Sequence, residues 1–333
     1  MKHSPKEMKH YKWMLLIQTL WTCNFGLLLG LLWIPVPLFP AMASYIRGPL
    51  SILGKSGAHI IMCILSGSAL CIASCLLIEI FFRYATVAQL QIYHFITSKK
   101  MIPVIAGINL FSFGSGFGVN YMAKVPFSQL RNTTLIVIPD LQPIFDSEII
   151  FGYILDSPYI TAYGIYSLVF FGLFSIISNI FIYLLIRSLY KQKTIMSKRN
   201  YRMQTSLFIA VAIQFFIPFF FGVVPTVIVT ILAHSHIKNI TVICEVCLCL
   251  GCLHTVFSNL TTVVFVKPYR RAMLKYIGTF VFLITGRKVK WINSGFTSIT
   301  PRVRGAATTN ISNVSRISQF PPPPLTRQLS NVS

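Results

Sequence analysis

Apolar residues run through this chain in six long blocks rather than in short alternating or amphipathic patterns. The blocks cover roughly residues 13–42, 57–82, 102–122, 159–186, 206–232 and 241–266, and only Glu79 and Glu245 place a formal charge within any of them. A helix rises about 1.5 Å per residue and a hydrocarbon core is about 30 Å thick, so about 20 residues suffice to cross it. Each block meets that length. Unpaired backbone groups are too costly in lipid, which leaves helix as the state of segments this long. The pattern therefore predicts an all-α, polytopic transmembrane helical bundle with six spans.

The connecting segments orient it. Counted alternately from the N-terminus, they hold 24 of the 29 Lys and Arg residues on one side and five on the other. Cytoplasmic loops carry the excess of basic residues, so both termini are expected in the cytoplasm. Asp140, Asp146, Glu148 and Asp156 share one outside loop. A formal net charge of +22 would suggest nucleic acid in a soluble protein. Here it lies in juxtamembrane loops and a tail, where the anionic inner leaflet of the bilayer is the plainer partner, and no nucleic acid is expected. The first apolar block is too long for the core of a signal peptide.

Chemistry inside the spans is sparse. Asn109, Asn179, Gln214, His254 and Asn259 are the polar groups at membrane depth, expected to face the bundle interior, chiefly in hydrogen bonds between helices. Cys244, Cys247, Cys249 and Cys252 have the spacing of a zinc site but sit in an apolar block, where small buried thiols are the better reading and no metal is expected. No cysteine falls in an outside loop. Gly114 and Gly118, one helical turn apart, suit a close approach between helices. Pro218 and Pro225 interrupt the fifth block, where each removes a backbone hydrogen bond and makes a candidate hinge. Pro35, Pro37 and Pro40 distort or end the first block. Asn132-Thr133-Thr134 is a plausible outside glycosylation sequon, whereas Asn239 lies too close to lipid and Asn310 faces the cytoplasm. No phosphate loop, metal-binding helix motif or nucleophile elbow is present, so neither an enzyme nor a cofactor is expected.

After the sixth block, basic and apolar residues alternate at helical spacing from Lys267 onward, which predicts a juxtamembrane amphipathic helix over 267–286. The stretch 287–333 is rich in Ser, Thr, Asn and Arg and contains Pro321–Pro324, so a disordered cytoplasmic tail is expected there. The organisation is thus a cytoplasmic segment 1–12, a bundle 13–266, the surface helix and the tail.

These residues also resemble a known family. Ser4-Pro5 with Met8 and Lys12-Trp13, Ile34-Pro35 with Pro40, Arg83-Tyr84 and Ile138-Pro139-Asp140 follow in order. Then come Gln214, Pro218 and Pro225, and finally His254 with Lys267-Pro268-Tyr269-Arg270. Together they resemble the nematode serpentine chemoreceptors of class H, a group of seven-transmembrane G-protein-coupled-receptor-like proteins. Two departures stand out. Phe81-Phe82 replaces the acidic-Asn pair that the family places before Arg-Tyr, although Glu79 lies one turn away. The family pattern also carries a helix before the Ser4-Pro5 segment, so this chain is expected to represent the seven-helix receptor minus its first helix, through loss of an upstream coding segment rather than a natural truncation.

The resemblance implies a chemosensory receptor in the plasma (ciliary) membrane of sensory neurons. It would take a small-molecule ligand from outside and engage a heterotrimeric G protein inside. On that reading Asn109, Gln214 and His254 are candidate ligand contacts, while Arg83, Arg187, Lys198, Arg199 and Arg270 face the G protein. Pro218 and Pro225 are the hinge and Asn132 carries glycan. A six-helix transporter or channel is the alternative, opposed by the few intramembrane charges and the absence of an internal repeat.

Overall fold

The computed structural model describes residues 11–38, 41–98, 100–154, 157–234, 241–265 and 267–285. Ser4, Pro5, Met8, Pro40, the Asn239 and Asn310 sequons and the tail 287–333 lie outside the described residues. Six of its helices are long and apolar enough to cross a membrane, over Trp13–Trp33, Pro49–Val87, Met101–Met122, Pro158–Gln192, Asn200–Val229 and Thr241–Phe265. The fold is an all-α polytopic bundle.

Helix α1 (Tyr11–Leu27) leads into a π-helical turn, Leu28–Trp33, and stops there rather than near residue 42. The cause is local: Pro35 has no N–H to continue the ladder and disfavours helix at the preceding residue. Ile34 accordingly sits at φ 46°, a left-handed conformation that strains a β-branched side chain. The chain then forms strand β1 (Pro35–Pro37) and returns as β2 (Ala43–Ile46).

A short 3-10 turn leads into α2 (Gly54–Val87), the hub of the bundle, which packs against α1 and against the helices over Met101–Met122, Pro158–Gln192 and Lys198–Pro218. Eight of its ten residues from Ser66 to Cys75 are Gly, Ala, Ser or Cys, which lets neighbours approach closely, the device that holds helices together where lipid offers no hydrophobic gain. Short α3 (Tyr93–Ile96) links to α4 (Met101–Met122). The close approach between α2 and α4 runs through Gly67 and Gly116: a Cβ on Gly116 would stand 3.1 Å from the Cα of Gly67 and 2.9 Å from Leu70 Cδ1. Gly114 and Gly118, expected to make such a contact, face open space on α4. Position along the turn decides this, because the face that meets α2 is the one Gly116 shares with Asn109, Ser112 and Asn120, the buried polar residues of α4.

Beyond α4 the chain builds a cap at one end of the bundle. It contains α5 (Phe127–Val137), α6 (Gln142–Ser147) and β3 (Ile150–Gly152). The three strands form an antiparallel sheet in the order β1-β2-β3, with Val36 opposite Tyr45 and Ser44 opposite Phe151. The two prolines of β1 are tolerated because that strand is at the edge. Leu38, Ala43, Leu130, Phe145 and Ile150 form the cap's own core. Arg131 Nη2 meets Asp146 Oδ1 at 2.6 Å on its surface, and Lys55 Nζ lies over the Phe127 ring.

Helix α7 (Pro158–Gln192) returns along α2. Helix α8 (Lys198–Pro218) starts at Ser197, whose Oγ accepts from the Asn200 N–H. After Pro218 the helix widens into a π-helical segment, Phe219–Val223, and resumes as α9 (Val224–His234), so the fifth block is one broken helix with Pro225 buried just after the break. Helix α10 (Thr241–Phe265) packs against α1 and α8, and α11 (Lys267–Thr285) follows, with Arg270 Nη1 donating to the Val264 carbonyl. At the end remote from the sheet, Met14, Leu15, Ile80, Val211 and Phe215 close the bundle. All eight cysteines are free thiols.

Candidate ligand-binding and signalling sites

Two polar stripes on α1 tie the bundle together. Gln18, Trp21 and Asn24 recur every third residue and reach α2 and α4, while Thr22, Cys23 and Phe25 reach α10. Trp21 Nε1 donates to Asn109 Oδ1 at 2.9 Å, and Asn24 Nδ2 donates to Ser68 Oγ at 2.9 Å. On the other side Thr255 Oγ1 donates to the Thr22 carbonyl, Asn259 Nδ2 donates to Cys23 Sγ, and the Phe25 ring stands edge-on to His254 at 5.4 Å.

Both ends of the Asn109 amide are engaged by protein. Its Oδ1 also accepts from Cys75 Sγ at 3.2 Å, and its Nδ2 donates to the Ile105 carbonyl at 2.9 Å. Gln214 is buried and donates through Nε2 to Thr262 Oγ1 at 2.6 Å, bridging α8 and α10. His254 is buried with Nδ1 against the Gly251 carbonyl. Among the described residues no hydrogen bond or ring contact joins any two of Asn109, Gln214 and His254, so the structure distributes them over three helix contacts. Asn179 departs from expectation altogether: it is exposed on α7, its Nδ2 turned back to the Ser175 carbonyl, which engages the amide nitrogen without a neighbouring helix.

One carboxylate is enclosed in the half of the bundle remote from the sheet. Glu79 is fully buried (0% exposed). With its amide nitrogen turned toward α2, Gln18 donates to Glu79 Oε1 at 2.8 Å and to Oε2 at 3.0 Å. Arg83, one turn along and itself only 4% exposed, brings its positive charge to bear on the same carboxylate. The acidic partner missing from positions 81 and 82 is thus supplied from within α2 and fixed from α1. Burial of Arg83 also means that any effect it has on a partner acts through the bundle rather than by open contact.

Arg187 on α7 and Lys198 at the start of α8 are exposed at the same end, and Arg199 stands in the first turn of α8. Gln192 donates through Nε2 to the Val87 carbonyl, pinning the end of α7 to the end of α2. Asn132 is exposed on α5 in the cap. No cluster of His, Cys, Asp or Glu capable of holding a metal occurs among the described residues.

A model of the family described as serpentine type seven-transmembrane GPCR chemoreceptor Srh matches residues 1–279. The chain belongs to this family. No curated protein and no solved structure matches it. Class H membership accounts for the order of motifs from Ile34-Pro35 to Arg270. The stripe Gln18, Trp21, Asn24 and the buried Asn120 at the end of α4 were not singled out as polar sites in the sequence, because flanking apolar residues mask them. Their signal was the i, i+3 spacing, which places several polar groups on one face.

Proposed function

We propose that this Srh-family chain is a chemosensory receptor that takes a small molecule from the sheet end and signals to a heterotrimeric G protein at the basic end. The plasma (ciliary) membrane of a sensory neuron is its place of action. The observation that carries the reading is the broken helix α8–α9. Its basic first turn lies at the end remote from the sheet, its π-helical break lies between Pro218 and Pro225, and Gln214, one turn before the break, is bonded to α10. A π segment and a proline both leave unmade backbone hydrogen bonds about which a helix bends. A ligand with different affinities for two bundle arrangements would shift their populations, and this helix connects such a shift to the inner surface.

In this hypothesis Arg187, Lys198, Arg199 and Arg270 form the surface that meets the G protein, with Arg83 positioning α2 behind them. Asn109, Gln214 and His254 transmit the ligand's effect between helices. The test is a G-protein nucleotide-exchange assay on the chain expressed in cells. Shortening the basic 187–202 segment at its loop, 193–197, or Arg83→Ala, is expected to abolish coupling at unchanged surface expression. Wild-type coupling per surface receptor in both variants would refute the assignment.

A further inference from the structure

Helix α7 carries an amide where lipid would otherwise be the neighbour. Asn179 is the only amide or charged residue between 159 and 186, and it is exposed. It stands seven residues before Ile186, the end of that apolar block. At about 1.5 Å per residue this is about 10 Å along the helix, further than so short a side chain reaches. Its Nδ2 donates to the Ser175 carbonyl at 2.8 Å, and the amide makes no other hydrogen bond among the described residues. A carboxamide has two N–H bonds and an oxygen that accepts, so one N–H and the oxygen are left over. Polar groups at this depth are costly against hydrocarbon and turn toward another helix. Within this chain the face of α7 turned to the bundle is a different one, and its buried residues are Ser178, Ile182, Leu185 and Leu189.

The exposed face has an order of its own. Ile165, Gly172, Asn179 and Ile186 recur every seventh residue. Val169, Ile176 and Tyr183 follow the first three at a distance of four. All seven are exposed, Ile165 and Ile176 at 59%. Alternating steps of four and three are the spacing of a coiled-coil seam, along which two helices pack at a shallow crossing angle. A single Asn on such a seam favours the one register in which its amide finds a partner. Gly172, one heptad before Asn179 in the same row, lets two backbones draw close, and a Cβ there would meet nothing within 4 Å in this chain.

We propose that this face of α7 is the interface between two copies of the chain, paired about a two-fold axis along the membrane normal, with the two Asn179 amides bonded to each other. Copies inserted in one membrane share a topology, so their α7 helices run parallel and a two-fold pairing sets each residue against its own counterpart. The amide is self-complementary, since the remaining N–H of each copy donates to the oxygen of the other. Lipid tails would serve the Ile and Val positions of the seam equally well but offer the amide nothing. A second copy brings a matching amide at the same depth and a matching glycine one heptad away. The interface needs neither ligand nor G protein, so it stands or falls apart from the receptor reading.

The test reconstitutes the full chain, labelled in separate batches with donor and acceptor fluorophores, into phosphatidylcholine vesicles. Energy transfer is followed as the protein is diluted in lipid, and it is expected to trace a monomer–dimer equilibrium. Asn179→Leu removes the amide pair and should weaken dimerisation about tenfold. Gly172→Ile fills the close approach and should weaken it at least as much, while the monomer has open space for the new side chain. Both variants should keep the unfolding temperature of the diluted, monomeric protein; if one does not fold, the other decides alone. Three results would overturn the assignment: monomers at every protein-to-lipid ratio, which leaves lipid covering this face, or dimers whose affinity a folded Asn179→Leu protein retains in full, or dimers whose affinity a folded Gly172→Ile protein retains in full.

Discussion

Glu79 is the residue at which the bundle has most to lose. A carboxylate with 0% exposure in a membrane span needs its hydrogen bonds, and Gln18 supplies two of them from a different helix. Gln18→Leu is expected to destabilise the folded bundle by about 1–3 kcal/mol, because it leaves the carboxylate buried with those bonds unmade. The double variant Gln18→Leu with Glu79→Leu should recover part of that loss, since removing both partners avoids the unsatisfied group. Thermal unfolding of the four proteins in the cycle checks this, and strictly additive losses would show that the two side chains do not interact. Asn109 makes the contrasting case. Its amide oxygen is engaged by Trp21 and Cys75 and its nitrogen by the Ile105 carbonyl, so its substitution bears first on how α1, α2 and α4 hold together.

At the scale of elements, the contact between α2 and α4 depends on two glycines in a defined register. Gly116→Leu would drive a side chain into Leu70 and the backbone of Gly67, with an expected cost of about 1–3 kcal/mol or more and a lower yield of folded protein. A Cβ on Gly114 meets nothing within 4 Å, so Gly114→Leu should leave yield near wild type. Fluorescence-detected size exclusion of the two variants separates them, and equal yields would contradict the register. The broken helix offers a second test. If Pro218 and Pro225 flank a hinge, Pro218→Ala or Pro225→Ala restores a backbone donor, stiffens the helix and changes basal or ligand-driven signalling per surface receptor. If they only shape packing, yield falls and the normalised response stays at wild type.

Elements also show why some features were legible in sequence and others were not. Span positions follow from uninterrupted apolar runs, which is why α4 and α10 fall within a residue or two of the expected blocks. The end of α1 is set instead by Ile34-Pro35, a local geometric effect that an apolar count passes over. Pairing of β2 with β3 joins segments more than a hundred residues apart, and nothing in a short apolar run such as Ile150–Gly152 names its partner. The choice of Gly116 over Gly114 needed a helix face, which spacing alone leaves open.

For the whole molecule, the two ends differ in kind. One carries the sheet, α5, α6 and exposed Asn132, and the other carries the exposed Arg187 and Lys198 and the ends of α2 and α7 pinned by Gln192. A receptor reading requires the first end outside and the second in the cytoplasm, as the uneven distribution of Lys and Arg implies. Glycosylation mapping in microsomal membranes tests this requirement most directly. The native sequon at Asn132 should be modified, and Asn132→Gln should abolish the shift in mobility. A sequon inserted in the loop between α7 and α8, or appended after Ser333, should stay unmodified. Modification at either of those two positions, with Asn132 untouched, would invert the bundle and contradict the account.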